Sequence, residues 1–377
     1  MNKISKKIVY LVNTDSFFIS HRIRIADQLK KNGYEIHIAT EFTNYKNLLK
    51  KKGFITHDIR FNKNSLNILL AFVPLLQIMF LLFKVKPNIL HLISLKPSIF
   101  GGLISFISPV KNIVISITGL GSMFLSKNLF GKFRENIFNL LLRIIFLHNK
   151  LIVILQNKSD EKYLLKKTNL RKEKVKIIRG SGVDLNKFKF SKLPKKNINI
   201  VMISRIIADK GIREYIDSIK YLKKKNLIAN FYLVGNIDFS NPSAIKKSEL
   251  ELWKKKKIIK YFTHKKDVFS ILKKSSIIVL PSYREGFPKV LMEAAAVGRP
   301  SITTNVPGCK DAVINNKTGI LVPPKNHIKL AKAIKDLSLD KRKLKKISVL
   351  ARKHAVKNFN IINIVYQHIL IYQFLDQ

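Results

Sequence analysis

The fold is decided by the stretch IIVL at residues 277–280 followed by PSYREGFPKVLMEAAA at residues 281–296. The first four residues predict a buried strand, and the good helix formers after Pro288, which is expected at the first helical position, predict a helix. In a parallel sheet such a helix begins at the carboxyl edge of its strand, where free backbone N–H groups and the helix dipole favour a phosphate. This stretch therefore predicts the ligand-binding edge of a doubly wound α/β domain.

Two carboxylates bracket this turn, Glu285 in the loop and Glu293 about a turn and a half into the helix. In a chain with 23 acidic residues against 71 Lys and Arg, carboxylates beside a phosphate niche need a reason, and the hydroxyl groups of a sugar are suitable partners. The alternatives are a helix-dipole role for Glu285 and a solvated helix face for Glu293.

A second element compatible with phosphate is SRIIADKG at residues 204–211, which follows a strand predicted at 198–203. Arg205 and Lys210 are expected at the top of the sheet, and Gly211 would let the backbone approach closely before the next helix. Alone this signal is weak, because Lys and Arg are abundant in the chain. Combined with the two carboxylates of the same half, it becomes specific.

Strand and helix patterns alternate along the chain, which predicts two parallel sheets covered by helices. The further strands expected lie at 7–12, 34–39, 88–93, 112–117, 151–155, 175–178, 231–234 and 301–304, and helices at 20–32, 136–147 and 212–223. A polar, Lys-rich stretch at 189–196 separates the two series. We therefore expect two doubly wound domains, residues 1–190 and 191–357.

Composition limits the classes of partner. The 377 residues carry a formal net charge of +48, yet 46% of them are apolar, which excludes a disordered basic tail. The length suggests about two domains. An excess of Lys with abundant Ile and Asn is typical of an AT-rich genome, while such a surface is also attracted to anionic membranes, nucleic acids and phosphorylated ligands.

The single Cys, Cys309, excludes a disulfide framework and a zinc site built on Cys ligands, and it favours a reducing compartment. Without a designated His base it is poorly placed as a nucleophile. Residues 1–11 combine a Lys cluster with only a short apolar run, so we expect a first strand there and no cleavable signal peptide.

Residues 66–83 are apolar except for Asn67 and Gln77, with Pro74 in the middle, and their length is near the lower limit for a bilayer span. Because they lie between two predicted strands, we expect a crossover helix that packs on the sheet and partly faces lipid, with a transmembrane span as the alternative. Residues 130–147 set cations among Phe, Ile and Leu, which suits either an interfacial surface or an ordinary core-facing helix.

The combination of SRIIADKG, a strand ending LVG at Gly235, and PSYREGFPKVLMEAAAVGRPSITTNVPGCKDAV strongly resembles the retaining family-4 glycosyltransferases of the GT-B fold. The resemblance covers most of the C-terminal half and, only loosely, the N-terminal half. It implies two Rossmann-like domains facing a cleft, with the nucleotide-sugar donor held mainly by the C-terminal domain and the acceptor mainly by the N-terminal one. It also implies a C-terminal helix, about residues 358–377, packed back on the N-terminal domain.

The same resemblance assigns roles. Arg205 and Lys210 would neutralise the diphosphate of the leaving nucleotide, Glu293 would bind the ribose hydroxyls and Glu285 would contact the donor sugar. Further donor contacts are implied at Gly286, Phe287, Pro288, Lys289, Val290, Gly235, Thr263 and His264. No metal or cofactor is expected, because the chain has no Asp-x-Asp triplet and the two cations can stabilise the departing charge.

The N-terminal half departs from the commonest pattern of this family. NTDSFFISH at residues 13–21 replaces a Gly-rich loop, and His21 and Arg22 are the candidates to meet the acceptor or a phosphate. In TGLGS at 118–122, Thr118 and Gly119 stand where many relatives carry a His near the reacting centre. The GLG form resembles the subgroup that extends polyprenyl-diphosphate-linked glycans for O-antigen, capsule or protein glycosylation; a plain tight turn is the alternative.

The resemblance therefore predicts transfer of a hexose or N-acetylhexosamine from a UDP-sugar to a polyprenyl-diphosphate-linked glycan, by a peripheral protein at the anionic cytoplasmic face of the inner membrane. One alternative is a GT-B-fold UDP-sugar epimerase with Asp15, His21 and His91 as its acid/base candidates. The other, a nucleic-acid-binding protein, is suggested by charge alone. A nucleic-acid partner is not expected, because aromatic residues lie within apolar runs instead of between Lys and Arg.

Overall fold

A computed structural model of the chain describes residues 6–61, 69–121, 128–263 and 267–376, so the donor contact predicted at His264 lies outside the described residues. The chain divides into two compact units, Met1–Ser181 with Ile362–Gln377, and Gly182–Ile361. The division precedes the Lys-rich stretch that we expected as the boundary, because Val183 and Phe188 are already buried in the core of the second unit.

The first unit is built on a parallel sheet of seven strands in the order β3-β2-β1-β4-β5-β6-β7. The strands are β1 Lys7–Thr14, β2 Glu35–Glu41, β3 Ile55–Asp58, β4 Ile89–Ile93, β5 Asn112–Ile117, β6 Leu151–Leu155 and β7 Val175–Ile177. The strand order reverses between β1 and β4. In doubly wound sheets this switch point opens a crevice at the carboxyl edge.

Helices cover both faces of this sheet, because alternate strand residues point to opposite sides. Tyr10 packs with α1 to α3 and with the C-terminal helix, whereas Val9 and Leu11 pack with α4 to α7. The helices are α1 Asp15–His21, α2 Ile23–Lys31, α3 Lys46–Lys51, α4 Leu69–Val85, α5 Leu95–Ile104, α6 Leu129–Ile145 and α7 Lys158–Lys167. The single helix expected at 20–32 is interrupted at Arg22, where the backbone leaves the helical region (φ −128°, ψ −17°).

The apolar run after β3 forms the expected crossover helix, α4, with Pro74 inside it. One side of α4 packs into the core of the first unit through Ile78, Leu81, Leu82 and Val85. Within the described ranges, none of the helices combines the length and the apolarity that a bilayer span requires.

The second unit is built on a parallel sheet of six strands in the order β10-β9-β8-β11-β12-β13. The strands are β8 Asn199–Ile203, β9 Asn230–Val234, β10 Lys260–Phe262, β11 Ile277–Leu280, β12 Ser301–Thr304 and β13 Gly319–Val322. The helices that follow are α8 Ile212–Lys224, α9 Lys247–Lys255, α10 Val268–Lys274, α11 Lys289–Val297, α12 Cys309–Ala312, α13 His327–Leu339, α14 Lys341–Asn358 and the C-terminal α15 Ile361–Leu375. The predicted fold class, two doubly wound parallel sheets, is confirmed.

The C-terminal helix α15 returns to the first unit after the second unit is complete. Its inward side chains belong to the first unit's core, together with β1 and β4: Ile364, Ile371, Tyr372 and Leu375. The first unit therefore depends on both ends of the chain.

Candidate functional site

The carboxyl edge of the second sheet gathers the residues that the sequence analysis singled out in this half. The loop with Arg205 and Lys210 follows β8, Gly235 follows β9, Thr263 follows β10, and the loop with Glu285 follows β11. Because these strands are parallel and adjacent, all of these residues lie at one edge of one sheet.

An ion pair joins the loops after β8 and β11. Lys210 Nζ donates to Glu285 Oε1 at 2.5 Å, and Ser282 Oγ donates to the same oxygen at 2.7 Å. The side chains of Lys210 and Glu285 expose only 17% and 12% of their surface. A ligand that separates this pair must therefore offer Lys210 another anion and Glu285 another hydrogen-bond donor, because unpaired charges at such depth are costly.

Arg205 lies in a more open setting than Lys210. Its Nη1 donates to Asp238 Oδ2 at 2.8 Å, while 58% of its side chain stays exposed. Burial alone would raise the pKa of Asp238, but hydrogen bonds from Ser240 and Arg205 lower it below its ordinary value. Because a guanidinium has five N–H donors, this pairing leaves Arg205 able to hydrogen-bond to a phosphate.

Asp238 is a residue that the sequence analysis missed. It lies in the loop after β9, three positions beyond Gly235, at the same edge of the sheet as Arg205. An acidic residue just past a strand end in an acid-poor chain is the signal that could have found it.

Close backbone contacts hold these loops in place. Gly211 has a left-handed backbone (φ +75°), and a Cβ added there would lie 2.2 Å from the carbonyl oxygen of Pro281. Tyr283 N donates to Asp209 O at 2.9 Å across the same two loops. The loops after β8 and β11 are therefore locked together, which fixes the ion pair that they carry.

Gly235 brings the neighbouring loop against the loop of Arg205. A Cβ at Gly235 would lie 1.8 Å from the carbonyl oxygen of Ser204, a distance that no side chain permits. Tyr261 Oη donates to Gly235 O at 2.8 Å, which anchors the turn to β10. Thr263 follows directly after that strand and is exposed.

Glu293 lies on α11 and is buried, with 9% of its side chain exposed, so the alternative of a solvated helix face is wrong. Burial raises its pKa to about 6, although Lys289, whose Nζ lies 3.7 Å from Glu293 Oε1, opposes the shift. At neutral pH Glu293 is therefore largely a desolvated carboxylate, which is a strong acceptor for hydroxyl groups.

The start of α11 differs from the expectation by one residue. Pro288 keeps an extended backbone (φ −68°, ψ 118°) and is the N-cap residue, so Lys289 and Val290 open the helix. The first-turn N–H groups of a helix lack intrahelical partners and can bind an anion. Gly286 and Phe287 precede this turn; the ring of Phe287 is buried and packs edge-on against Phe359 at 5.5 Å.

The first unit presents its predicted residues differently. Thr118 and Gly119 follow β5 at the carboxyl edge and are half-buried. The side chain of Arg22 lies inside the unit with 2% exposure, and its Nη1 donates to His21 O at 3.2 Å. The ring of His21 stacks on Phe17 with 4.1 Å between centroids. The acceptor-side candidates therefore do not lie together at one sheet edge, as the donor-side candidates do.

Two of the three acid/base candidates of the epimerase alternative, Asp15 and His91, are buried and hydrogen-bonded within the first unit, whereas His21 is half-exposed. Asp15 accepts hydrogen bonds from Thr43 N at 2.8 Å and Thr43 Oγ1 at 2.7 Å. Burial alone would raise the pKa of Asp15, but these bonds lower it. His91 is buried between Tyr372 Oη at 2.6 Å and Ser116 Oγ at 2.7 Å, and burial holds its pKa well below the ordinary value. Neither group is open to a substrate.

Cys309 is fully buried, and burial raises the pKa of its thiol to about 12, which is unfavourable for a nucleophile. In the part of the chain that the structure describes, no three His, Cys, Asp or Glu side chains cluster as a metal site would require.

Two family models match the chain, one on each unit. The model described as Glycosyl transferase 4-like matches residues 7–157, and the model described as Glycosyl transferases group 1 matches residues 184–354. Together they span most of the chain, and the second includes every donor-side candidate that the structure describes.

Relatives match along nearly the whole length. The chain is 28% identical over 356 residues to the N,N'-diacetylbacillosaminyl-diphospho-undecaprenol alpha-1,3-N-acetylgalactosaminyltransferase of Campylobacter jejuni, covering 90% of this chain and 91% of that protein. It is 26% identical over 374 residues to the capsular polysaccharide biosynthesis glycosyltransferase CapM of Staphylococcus aureus, covering 94% of each.

Solved structures share the fold. Anabaena HepE in complex with UDP-glucose superposes with a TM-score of 0.78 at 19% identity, covering 98% of this chain and 99% of that one. The two family models match the two doubly wound units in chain order, and this protein belongs to the group 1, family-4-like glycosyltransferases of the GT-B type.

Proposed function

We propose that this glycosyltransferase moves a hexose or N-acetylhexosamine from a UDP-sugar to a polyprenyl-diphosphate-linked sugar in cell-surface glycan biosynthesis, with retention of configuration and without a metal ion. The observation that carries the proposal is the sheet edge on which Arg205, Lys210 and Glu285 lie, with Glu293 on the helix α11 that follows the same edge. UDP-glucose in the Anabaena structure supports the donor class. The diphospho-undecaprenol in the name of the Campylobacter relative supports the acceptor class.

The two cations suit the leaving diphosphate. As the bond from the sugar C1 to the diphosphate breaks, negative charge grows on the leaving oxygen, and preorganised Lys210 and Arg205 stabilise it. Each such donor is typically worth about 3 to 4 kcal/mol in the transition state. Two fixed cations supply the charge stabilisation that a divalent ion supplies in other transferases.

The two carboxylates suit hydroxyl groups. When the diphosphate takes Glu285's place beside Lys210, Glu285 becomes free to accept a hydrogen bond from a hydroxyl of the donor sugar. Glu293, desolvated and largely ionised at neutral pH, is the partner for the ribose diol. Both acids thereby orient the donor.

Retention follows from a same-face transfer. The acceptor hydroxyl approaches C1 from the side that the diphosphate leaves, the new C1–O bond forms there, and the hydroxyl proton passes to the departing diphosphate oxygen. No side-chain nucleophile is needed for this step, which agrees with the buried thiol of Cys309. The donor class and the lipid-linked acceptor together favour a peripheral location at the cytoplasmic face of the inner membrane, whose anionic lipids attract a chain of net charge +48.

The test is a panel of UDP-, GDP- and TDP-sugars offered with a polyprenyl-diphosphate sugar, read by mass spectrometry, with the anomeric configuration read by NMR. We expect transfer from a UDP-sugar, with retention, undiminished by a metal chelator. Arg205→Ala and Glu285→Ala should lose transfer, while Arg171→Ala and Glu251→Ala, which break exposed ion pairs elsewhere, should keep it.

Three outcomes would contradict the proposal. Normal turnover in both Arg205→Ala and Glu285→Ala would remove these residues from the site. An inverted product would exclude the same-face step. Interconversion of UDP-sugar epimers in the absence of acceptor would favour the epimerase instead.

A further inference from the structure

Helix α4 of the first unit exposes a stripe of large apolar side chains. Phe72, Leu76, Phe80 and Phe83 are all exposed, and their spacing of four, four and three places them on one side of the helix. The opposite side packs into the core through Ile78 and Leu82. A helix on a water-facing surface normally turns polar residues outward, so α4 lacks the usual polar face.

Helix α6 repeats this arrangement. Its exposed apolar side chains follow the same spacing of four, four and three, and then four again: Leu129, Phe133, Ile137, Leu140 and Ile144. Its opposite side reaches the same core through Phe138, Leu142 and Ile145. The stripe extends for about 22 Å at 1.5 Å per residue.

The two stripes belong to one surface. Helix α5 packs against both α4 and α6, and all three helices cover the same face of the sheet. Just after α5, Phe106 and Ile107 are also exposed, and the ring of Phe106 stacks on His148, beyond the end of α6, at 3.8 Å. We call the exposed apolar side chains of α4 and α6, with Phe106 and Ile107, the apolar face.

Charge indicates what covers this face. Between Asp58 and Asp160 the sequence contains one acidic residue, Glu135, and Tyr163 Oη donates to its carboxylate at 2.6 Å. The exposed cations on and beside the three helices include Lys84, Lys111, Lys132, Arg143 and Lys150. An apolar surface flanked by such cations complements an anionic bilayer, whereas a second copy of the face would bring like charges together.

We propose that the apolar face docks onto the surface of an anionic lipid bilayer, with α4 and α6 lying along the plane of the headgroups. This rests on the proposed function, which needs a lipid-linked acceptor. Both helices begin at the carboxyl edge of the first sheet, because each follows a parallel strand and leads into the next. Thr118 and Gly119 lie at that edge, so docking brings the acceptor-side loop to the membrane that holds the acceptor.

The test is flotation of the full chain with vesicles that contain phosphatidylglycerol, compared with vesicles of phosphatidylcholine alone. We expect binding to the anionic vesicles, weakened by salt, and an affinity loss on the order of tenfold or more in the double variant Phe80→Ser, Phe133→Ser. The matched control is the double variant Ile228→Ser, Phe239→Ser in the second unit. The exposed fractions of Ile228 and Phe239 are 93% and 76%, which are larger than the 68% and 61% of Phe80 and Phe133. The control should bind like the unsubstituted protein.

A second readout separates this inference from the proposed function. Transfer to a short-chain, water-soluble acceptor should be equal in the Phe80→Ser, Phe133→Ser variant and the unsubstituted protein, while transfer to a vesicle-embedded acceptor should fall in the variant alone. Equal vesicle binding by both proteins would overturn the docking. The docking would also be overturned if the unsubstituted protein bound no vesicles and sedimented as a dimer, and if the double variant sedimented as a monomer. If vesicles bind as expected and no acceptor is glycosylated, the proposed function fails and the docking stands.

Discussion

The two sheets share one architecture, and their carboxyl edges use polar residues in opposite ways. At the second edge, Lys210 with Glu285 and Arg205 with Asp238 form ion pairs between loops, where a ligand can take over one partner. Near the corresponding edge of the first sheet, Asp15 instead accepts hydrogen bonds from one loop of the same unit, while the buried Arg22 Nε has no hydrogen-bond partner among the described residues. We infer that the second edge offers a site because its polar groups can exchange their present partners for a ligand.

The inward polar groups of the first unit hold the C-terminal helix. Tyr372 Oη lies 3.1 Å from Tyr10 Oη and 2.6 Å from His91 Nδ1, and His91 Nε2 lies 2.7 Å from Ser116 Oγ. This buried chain connects β1, β4 and β5 to α15, which is more than 240 residues away from all three strands in sequence. We expect this buried chain to stabilise the fold of the first unit.

The largest effect is expected from Lys210→Ala. Since Lys210 is mostly buried and pairs with Glu285 of the same edge, its loss should lower kcat/KM for the UDP-sugar by about 10²- to 10³-fold. Steady-state transfer kinetics measure this. Lys220→Ala, which breaks an exposed pair with Asp217 on α8, is the control and should leave the kinetics unchanged. Comparable activity in Lys210→Ala and Lys220→Ala would show that the carboxyl edge of the second sheet is not the donor-binding site.

The next effect tests the structural role of the first unit. Tyr372→Phe leaves His91 Nδ1 and Tyr10 Oη without this partner in a fully buried setting, so the free energy of unfolding should fall by about 1 to 3 kcal/mol. UDP affinity should not change. Urea unfolding and UDP titration measure the two quantities, with Tyr366→Phe, exposed on the same helix, as the control. If Tyr372→Phe lost UDP affinity and kept its stability, the buried polar groups of the first unit would serve binding and not the fold.

The strands show where sequence patterns succeed and fail. The central strands are buried on both faces and are predicted by continuous apolar runs such as Leu151–Leu155. The patterns missed β3, β10 and β13, which lie at sheet edges and contain at most four residues. Of these, β3 and β10 are partly exposed and lack the apolar run on which the prediction depends, while the run in β13 is only three residues long.

The side chains of the candidate site also could be predicted only in part from the sequence. The positions of Arg205, Lys210 and Glu285 at the carboxyl edge of the second sheet were predictable because each follows a strand end in a motif, while their roles stay a prediction. Asp238 could have been noticed just past the end of β9, but its pairing with Arg205 could not be predicted, because the two residues lie 33 positions apart on different loops. The burial of Arg22 was also not predictable, because arginines are rarely fully buried and a helix start gives no sign of it.

Glu293→Gln should separate stability from binding. Because burial raises the pKa of Glu293 from 4.5 to about 6, its ionised form destabilises the folded state above pH 6 by about 2 kcal/mol, and this penalty fades as the pH falls through 6 toward 4.5. The glutamine variant should therefore be more stable at pH 7 and bind UDP more weakly. Thermal unfolding and UDP titration across this pH range measure both.

The pH dependence of UDP affinity shows whether Glu293 binds the ribose. The terminal phosphate of UDP also takes up a proton as the pH drops through about 6, so UDP affinity should fall in both proteins, and more steeply in the unsubstituted protein than in Glu293→Gln. Glu251→Gln, at an exposed position on α9, should follow the unsubstituted protein. If Glu293→Gln retains both the affinity and the pH dependence, Glu293 does not bind the ribose.

The smallest effect is expected at Asp238. With 58% of the Arg205 side chain exposed, solvent screens the Arg205–Asp238 pair, which is therefore worth at most about 1 kcal/mol. Asp238 competes with a diphosphate for Arg205 and repels it, so Asp238→Asn should tighten UDP binding by about two- to fivefold at low salt, and less at high salt. Isothermal titration at two salt concentrations measures this. Weaker binding in Asp238→Asn would instead show that the carboxylate orients the guanidinium, and the second edge would then depend on fixed geometry, as the first unit does, and not on exchange of partners.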